Sequence, residues 1–311
     1  MKDTVTILLA SYNGEKFLPE MIDSVLNQDY ENIRLVLSDD NSKDSSPVIL
    51  EKYAKENPER VIHYRSGQRF GCAQKHFMHL LMNFYDSDYI MFCDQDDVWH
   101  KNKVRITLEK MKEIEKGQAT PVLVHTDLCV VNGELKEISP SFCKHSGLSG
   151  YRVELNNLLV QNVVTGCTVM INRALAELGV KHEITDAVMM HDWWLALIAA
   201  AFGKIGFVDE PTIDYRQHGN NSVGAKNVYS PSYLLARLKG NSMKKAMQNA
   251  AKQSGAFLEV FSEHLTADQA EMLGDFAKTQ NLPIFARNAI YRKYKLYKNG
   301  FVRVMAQFLG I

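Results

Sequence analysis

An α/β domain built on a mainly parallel sheet, followed by a helical extension, is the fold class this 311-residue chain predicts. Three observations carry it. Short β-rich apolar runs alternate with amphipathic segments at the start of the chain. Acids cluster just past the ends of those runs. Beyond Pro231 the pattern turns helical and basic.

The elements follow in order. Residues 5–10 form a β-rich apolar run, and Phe17, Leu18, Met21, Ile22, Val25 and Leu26 then recur at helical spacing. Residues 33–38 read as a strand, 47–55 as a helix, 61–64 as a short strand, 71–84 as a helix and 89–93 as a buried strand. Such alternation means βαβ units and a mainly parallel sheet. Right-handed crossovers then bring the strand C-termini, and the ligands they hold, to one edge. Past residue 118 the rhythm loosens. Strands are expected over 122–126, 129–131, 168–172, 205–208 and 212–216, with an apolar helix over 191–202. Residues 219–224, rich in Gly, Asn and Ser, read as a mobile loop. Helices are expected over 233–239, 243–264, 267–279 and 283–298. The predicted organisation is an α/β catalytic domain over 1–225 and a basic helical extension over 226–311.

With 46% apolar and 23% charged residues, the composition excludes disorder and collagen-like structure. The formal net charge of zero conceals a split. Residues 1–214 hold 31 acids against 22 basic residues, and residues 215–311 hold 5 against 14. The acidic first part offers no basic cleft for nucleic acid. Five cysteines without a CxxC pair point to a reducing cytoplasm, with no disulfide framework and no zinc site. The first residues enter a strand at once and lack a signal-peptide pattern. The longest apolar run, 193–203, is about half of the roughly 20 residues a spanning helix needs.

The acids carry the chemistry. Asp39 and Asp40 follow the 33–38 strand, Asp94, Asp96 and Asp97 follow 89–93, and Asp127 follows 122–126. A lone Asp after a strand is ordinarily a turn or cap residue. Acids crowded on one sheet edge repel, so they imply a cation or a hydrogen-bonded ligand. At i and i+2, one can bind a hydroxyl and the other a hard divalent ion of the Mg²⁺ or Mn²⁺ type.

Three segments in order, ILLASYNGEKFLPEMIDSVLNQ, VLSDDNSKDSS and MFCDQDDVWHKNKV, resemble the opening of a family-2 glycosyltransferase with the GT-A fold. The likeness runs over roughly residues 3–220. It implies that Ala10, Ser11 and Tyr12 line a nucleotide pocket. Asp39 would accept the N3–H of a uracil or thymine, with Asp40 as its partner near the nucleotide. Asp94 would face the ribose and Asp96 the metal, Mn²⁺ or Mg²⁺, with Gln95 in the same donor site and Asp97 as a supporting acid. The family's Gly-x-x-x-Ala-Arg-Asn segment is altered here, leaving Arg69 and Lys75 for the diphosphate.

Glycosyl transfer also needs a base from another segment, because it works on the opposite face of the sugar. Asp192 opens the apolar helix, where the helix dipole favours its carboxylate. His191-Asp192-Trp193-Trp194 resembles the family's acceptor-side acid motif. His191 replaces the usual first acid, as in a subgroup similar to rhamnosyltransferases of bacterial surface polysaccharides. Trp193 packs on a sugar face or in the core. Tyr215-Arg216-Gln217-His218-Gly219-Asn220-Asn221-Ser222 resembles a signature of that subgroup, which makes His218 a third metal ligand or a diphosphate donor. Gly166 and Cys167 lie in a segment similar to the acceptor-facing loop.

The resemblance implies a non-processive, inverting enzyme. Its donor would be dTDP-L-rhamnose, or alternatively a UDP-sugar, and its acceptor a glycan or lipid-linked glycan. The expected location is cytoplasmic, peripheral on the inner face of the cell membrane. Interleaved basic and aromatic residues over 284–298 suit either an anionic membrane surface or a helical buttress. A sugar nucleotidyltransferase would share the sheet and the acids, but ASYNGEKF is not its Gly-rich phosphate loop.

Overall fold

The computed structural model describes residues 3–181, 186–218 and 242–310. The strands are β1 (Val5–Ser11), β2 (Ile33–Asp39), β3 (Val61–Tyr64), β4 (Tyr89–Cys93), β5 (Val98–Trp99), β6 (Val122–Asn132), β7 (Glu137–Ser139), β8 (Met170–Asn172) and β9 (Lys204–Gln217). Among the described residues they form one sheet in the order β3-β2-β1-β4-β8-β6-β9-β5, with β7 paired on β6. β3, β2, β1 and β4 are parallel. β8 runs antiparallel to both β4 and β6. β9 is parallel to β6, and β5 antiparallel to β9. The sheet is therefore mixed and mostly parallel.

Two expected strand breaks are absent. Residues 122–131 belong to β6 and 205–216 to β9, and the β6–β9 ladder absorbs the polar interruptions through register shifts at Thr126/Asp127 and Asp127/Cys129. Asp127 is thus no strand-end acid. It is buried, and its carboxylate accepts from the N–H groups of Leu128 and Cys143 and from Ser141 Oγ.

The helices are α1 (Leu18–Leu26), α2 (Ser46–Glu56), α3 (Ala73–Phe84), α4 (Lys103–Glu115), α5 (Phe142–His145), α6 (Leu155–Val160), α7 (Arg173–Val180), α8 (His191–Phe202), α9 (Ser242–Phe261), α10 (Ala267–Lys278), α11 (Ile284–Lys293) and α12 (Phe301–Leu309). The single helix expected over 283–298 stops early. Lys295 adopts φ 53° and Gly300 φ 81°, left-handed values that turn the chain before α12. The expected loop over 219–224, the helix over 233–239 and the boundary at 225/226 lie outside the described residues.

Period-two alternation in β1 explains the two cores. Ile7 and Leu9 face α1 on one side, and Leu8 faces α3 and α8 on the other. α8 is apolar nearly all round because it is buried nearly all round. Its Trp194 meets Phe257 and Phe261 of α9 at centroid distances of 5.3 and 6.0 Å. Met243, Phe276, Tyr291 and Leu296 belong to the same apolar cluster, so the C-terminal helices share their core with the sheet. No described helix is long and apolar enough to cross a membrane.

Candidate active site

Parallel pairing sets the first half of the site. Ser11 lies level with Asp39 and Leu9 with Cys93, so β1, β2 and β4 all end at one edge, with Ala10 still paired to Ser38. There the Gln95 side chain grips the end of β1. Its Oε1 accepts from Tyr12 N at 2.7 Å and Ser11 Oγ at 3.0 Å, and its Nε2 donates to Tyr12 O at 3.0 Å. A Cβ at Gly14 would lie 2.3 Å from Gln95 Oε1, so glycine lets this clasp form. Gln95, expected at the nucleotide, braces Ser11 and Tyr12, which the sequence also assigns to that pocket.

Asp39 accepts from both Ser42 N (2.8 Å) and Ser42 Oγ, which fixes its carboxylate at the turn. Asp40, expected beside Asp39 near the nucleotide, is buried and braces a loop. Its two oxygens accept from Phe70 N and Gly71 N at 2.5 and 2.8 Å. It thereby holds the loop that carries Arg69 over the exposed ring of Tyr12, with Arg69 Nη2 3.2 Å from the phenol oxygen. Lys75 stands apart, exposed and paired with Asp186 at 3.3 Å.

The acid turn after β4 meets the end of β9 because β5 pairs with β9 in the register Val98↔Asp214. Extending that register sets Asp96 opposite Arg216. The buried Arg216 donates to Asp96 O (2.8 Å), Gly133 O (2.9 Å) and Glu20 Oε2 (2.6 Å), while its N–H reaches Asp97 Oδ1 (3.1 Å). Its guanidinium sits 4.8 Å over Phe17. His218 stacks on the same Phe17 ring, and its Nε2 lies 2.7 Å from Asp96 Oδ2. Arg216 was quoted in the sequence motif without a role, and it is the residue that locks this corner.

Burial pushes the carboxyl of Asp94 up, with Asp96 and Asp192 adding repulsion. Asp97 is raised well above the ordinary carboxylate range by burial and then by Asp96 and Asp94. Buried carboxyls that raise one another in this way are what a cation would relieve. Asp94, Asp97 and Cys167 offer ligand atoms within 4.8 Å of one another, and Asp97 Oδ2 is buried with no hydrogen-bond partner. Burial also pushes the Cys167 thiol well up, which keeps it protonated and a poor ligand. The carboxylate oxygens of Asp94 and Asp97 suit a hard divalent ion, whereas Asp96 and His218, the ligands expected from the sequence, pair with each other and are not part of that group among the described residues.

Asp192 stands on the far side, at the start of α8. It is buried, and its carboxyl is pushed up to about 7 by that burial against the N–H groups of Trp193 and Gly166 and the amide of Asn162. Asp192 Oδ1 accepts from Trp193 N at 2.5 Å and Asn162 Nδ2 at 3.2 Å. A Cβ at Gly166 would lie 2.9 Å from His191 Nε2 and 3.4 Å from Asp192 Oδ2, so this close approach needs glycine. His191 is buried between Phe77 and Phe92 at centroid distances of 4.4 and 4.9 Å, and burial pulls it down to about 3, which keeps it neutral. Trp193 is buried and donates from Nε1 to Leu158 O at 2.7 Å, the core alternative rather than a sugar platform. Asn162 was not picked out from the sequence, since a lone Asn before an apolar stretch carries no signal of its own.

Carboxylates gathered where parallel strands end, with Asp192 at a helix start close enough to add to the charge pressure on Asp94, make a site of the GT-A kind. The chain belongs to the family described as Glycosyl transferase family 2, whose sequence model matches residues 6–179. It is 29% identical over 234 residues to the "dTDP-rhamnosyl transferase RfbG" of Shigella flexneri, covering 72% of this chain and 76% of that one. Its fold is similar to that of S. aureus TarS 1-349, solved with UDP-GlcNAc, at TM-score 0.57, 16% identity, and 99% and 90% coverage. It is also similar to the mannosyltransferase PcManGT of Pyrobaculum calidifontis, solved with GDP-Man and Mn²⁺, at TM-score 0.51, 14% identity, and 100% and 86% coverage.

Proposed function

We propose that this glycosyltransferase moves L-rhamnose from dTDP-L-rhamnose, with inversion, onto a hydroxyl of a growing, lipid-linked bacterial surface polysaccharide. It would work from the cytoplasmic side, with its C-terminal helices toward the membrane. The observation that carries the reaction type is the pair of opposed acid groups. Asp192 adds to the charge pressure on Asp94, although the two come from distant segments of the chain.

Tyr12 would lie beside the base, with Arg69 over its ring, and Asp39 would accept the base N3–H. Asp94 would hold the ribose. Asp96 and His218 would hold Mn²⁺ or Mg²⁺, which when bound neutralises the departing nucleoside diphosphate. Asp192 would take the acceptor proton. Its carboxyl, pushed up to about 7, is matched to that exchange near neutral pH. Asn162 and the Trp193 N–H fix its orientation. Gly166 would leave room for the acceptor sugar.

The rhamnose donor is supported by the Shigella relative's description. Uracil and thymine present the same N3–H edge, so a UDP-sugar is the second reading, favoured by the complex of TarS with UDP-GlcNAc. Nucleotide release from a donor panel with Mn²⁺ tests both. Release of dTDP from dTDP-L-rhamnose is expected. Release of UDP alone would select the second reading, and no release from any donor would overturn both.

A further inference from the structure

α12 has two unlike faces. Arg303, Ala306 and Gln307 are buried and tie the helix down. Arg303 donates to the carbonyls of Ser146, Gly147 and Asn299 at 2.5, 2.8 and 3.2 Å. Gln307 accepts from Lys298 N at 3.1 Å and donates to Leu296 O at 2.7 Å. The other face carries Phe301, Val302, Met305 and Leu309, which are 78, 52, 43 and 55% exposed. Phe285, 86% exposed, opens α11 beside the end of α12, where a Cβ at Gly310 would lie 3.9 Å from Ile284 Cδ1.

This is a row of large apolar side chains on a helix whose hydrogen-bonding side is already used. Residues 281–311 contain no acid. A cleft of about 480 Å³ opens next to the row, lined by Arg152, Arg292, Lys298, Phe301 and Phe308. Arg292 and Lys295 are exposed. The aromatic residues of 290–297 are a different case. Tyr291 is buried, and Tyr294 Oη donates to Asp275 at 2.7 Å, so that stretch is a buttress. Apolar residues in one row with the exposed Arg292 and Lys295 on the neighbouring segment match an anionic lipid surface, in which acyl chains lie beneath phosphates.

We propose that the outward face of α12, with Phe285, docks on an anionic bilayer surface. Phe301, Met305 and Leu309 enter the acyl boundary, and Arg292 and Lys295 meet the headgroup phosphates. The turn before α12 links this face to the catalytic side. Lys298 Nζ donates to Val160 O at 2.5 Å and Asn299 N to Gln161 Oε1 at 2.8 Å, immediately before Asn162, which holds Asp192. What the docked enzyme would meet there, a lipid-linked acceptor, rests on the function proposed above. The docking itself does not.

The full chain is floated with vesicles of phosphatidylcholine alone and with vesicles containing 30% phosphatidylglycerol (~0.15 M salt). Wild type is expected with the anionic vesicles, at least about fivefold over the neutral ones. Phe301→Ser/Met305→Ser/Leu309→Ser is expected to lose about tenfold of that recovery. Arg292→Gln/Lys295→Gln, which leaves the apolar row intact, is expected to lose the preference for anionic lipid. Donor hydrolysis without vesicles is read in parallel and should stay unchanged in both variants. Failure of that hydrolysis in wild type would overturn the sugar-transfer reading while leaving flotation to decide the docking. Equal recovery of wild type and the triple variant, or no recovery of wild type, overturns the proposal. So does a wild-type dimer that the triple variant converts to monomer without any vesicle binding, which would assign the face to a second copy.

Discussion

The two sides of the site are built on different plans. The proposed nucleotide side is assembled from the parallel strands β2, β1 and β4, and each of its turns follows its strand at once. The proposed acceptor side is assembled from Asn162, Gly166 and Asp192, held together by a side-chain hydrogen bond and close packing at a helix start. One plan puts chemistry where sequence motifs are contiguous. The other depends on long-range packing around a buried acid. If that contrast is right, damage to the first side should act on donor affinity and metal dependence. Damage to the second should act on turnover and its pH profile.

The largest expected effect is on the nucleotide side. Asp96→Ala should lower kcat/KM by about 10³-fold or more and abolish the response to added Mn²⁺. A Mn²⁺ titration of activity checks it, and a variant that keeps its metal response breaks the contrast. Asp192→Asn should lower kcat by about 10³-fold with little change in donor KM. It should also stabilise the fold. Asp192 is pushed up to about 7 in the fold from an ordinary 3.8. The folded state therefore keeps a proton, over that interval, that the unfolded chain has lost. Stability from this group falls as pH rises through the window, and the cost is complete above about pH 7. Removing the charge should therefore regain roughly 1–3 kcal/mol at pH 8 and almost nothing at pH 4, as read from denaturant melts. In the wild type, the same titration predicts turnover rising with pH through about 7.

Arg216→Ala comes next. It strips a buried cation from Glu20, Asp96 O, Gly133 O and the Phe17 ring, and should cost about 3 kcal/mol or more of stability. Thermal melts check this, and Arg216→Lys should recover only part, since one ammonium cannot span those partners. Gly166→Ala should lower kcat about tenfold to a hundredfold by displacing Asp192, and a shifted pH profile separates that from misfolding. Smallest is Gln95→Ala, which loosens the Tyr12 backbone and should raise donor KM by about fivefold.

This contrast also explains what could be read in advance. The β1–β4 half was legible because hydrophobic period and acid turns coincide there, and Asp39, Asp94, Asp96 and Asp97 sit where strand ends require. Asp127 misled because an acid inside a bulge looks the same in sequence as an acid after a strand. Asp40 and Gln95 are expected on the ligand side, and in the structure they also brace neighbouring segments, Asp40 through Phe70 N and Gly71 N and Gln95 through Ser11 and Tyr12. Local pattern cannot say which way a turn carboxylate points. Asn162 and Arg216 were missed as positioning groups because their partners lie 30 and as many as 196 residues away. The early stop of α11 depends on left-handed backbone at Lys295, which no glycine announced.

The hydrogen bonds from Lys298 and Asn299 to Val160 and Gln161 bear on how such enzymes can be recombined. A tail that donates a lysine ammonium and a backbone N–H to the segment ahead of Asn162 is not a cassette to be exchanged at a linker. A chimera that keeps this catalytic body but borrows another relative's last helices would inherit a mismatched seam next to Asp192. Transplants should therefore carry residues 155–162 together with 295–310, or keep both.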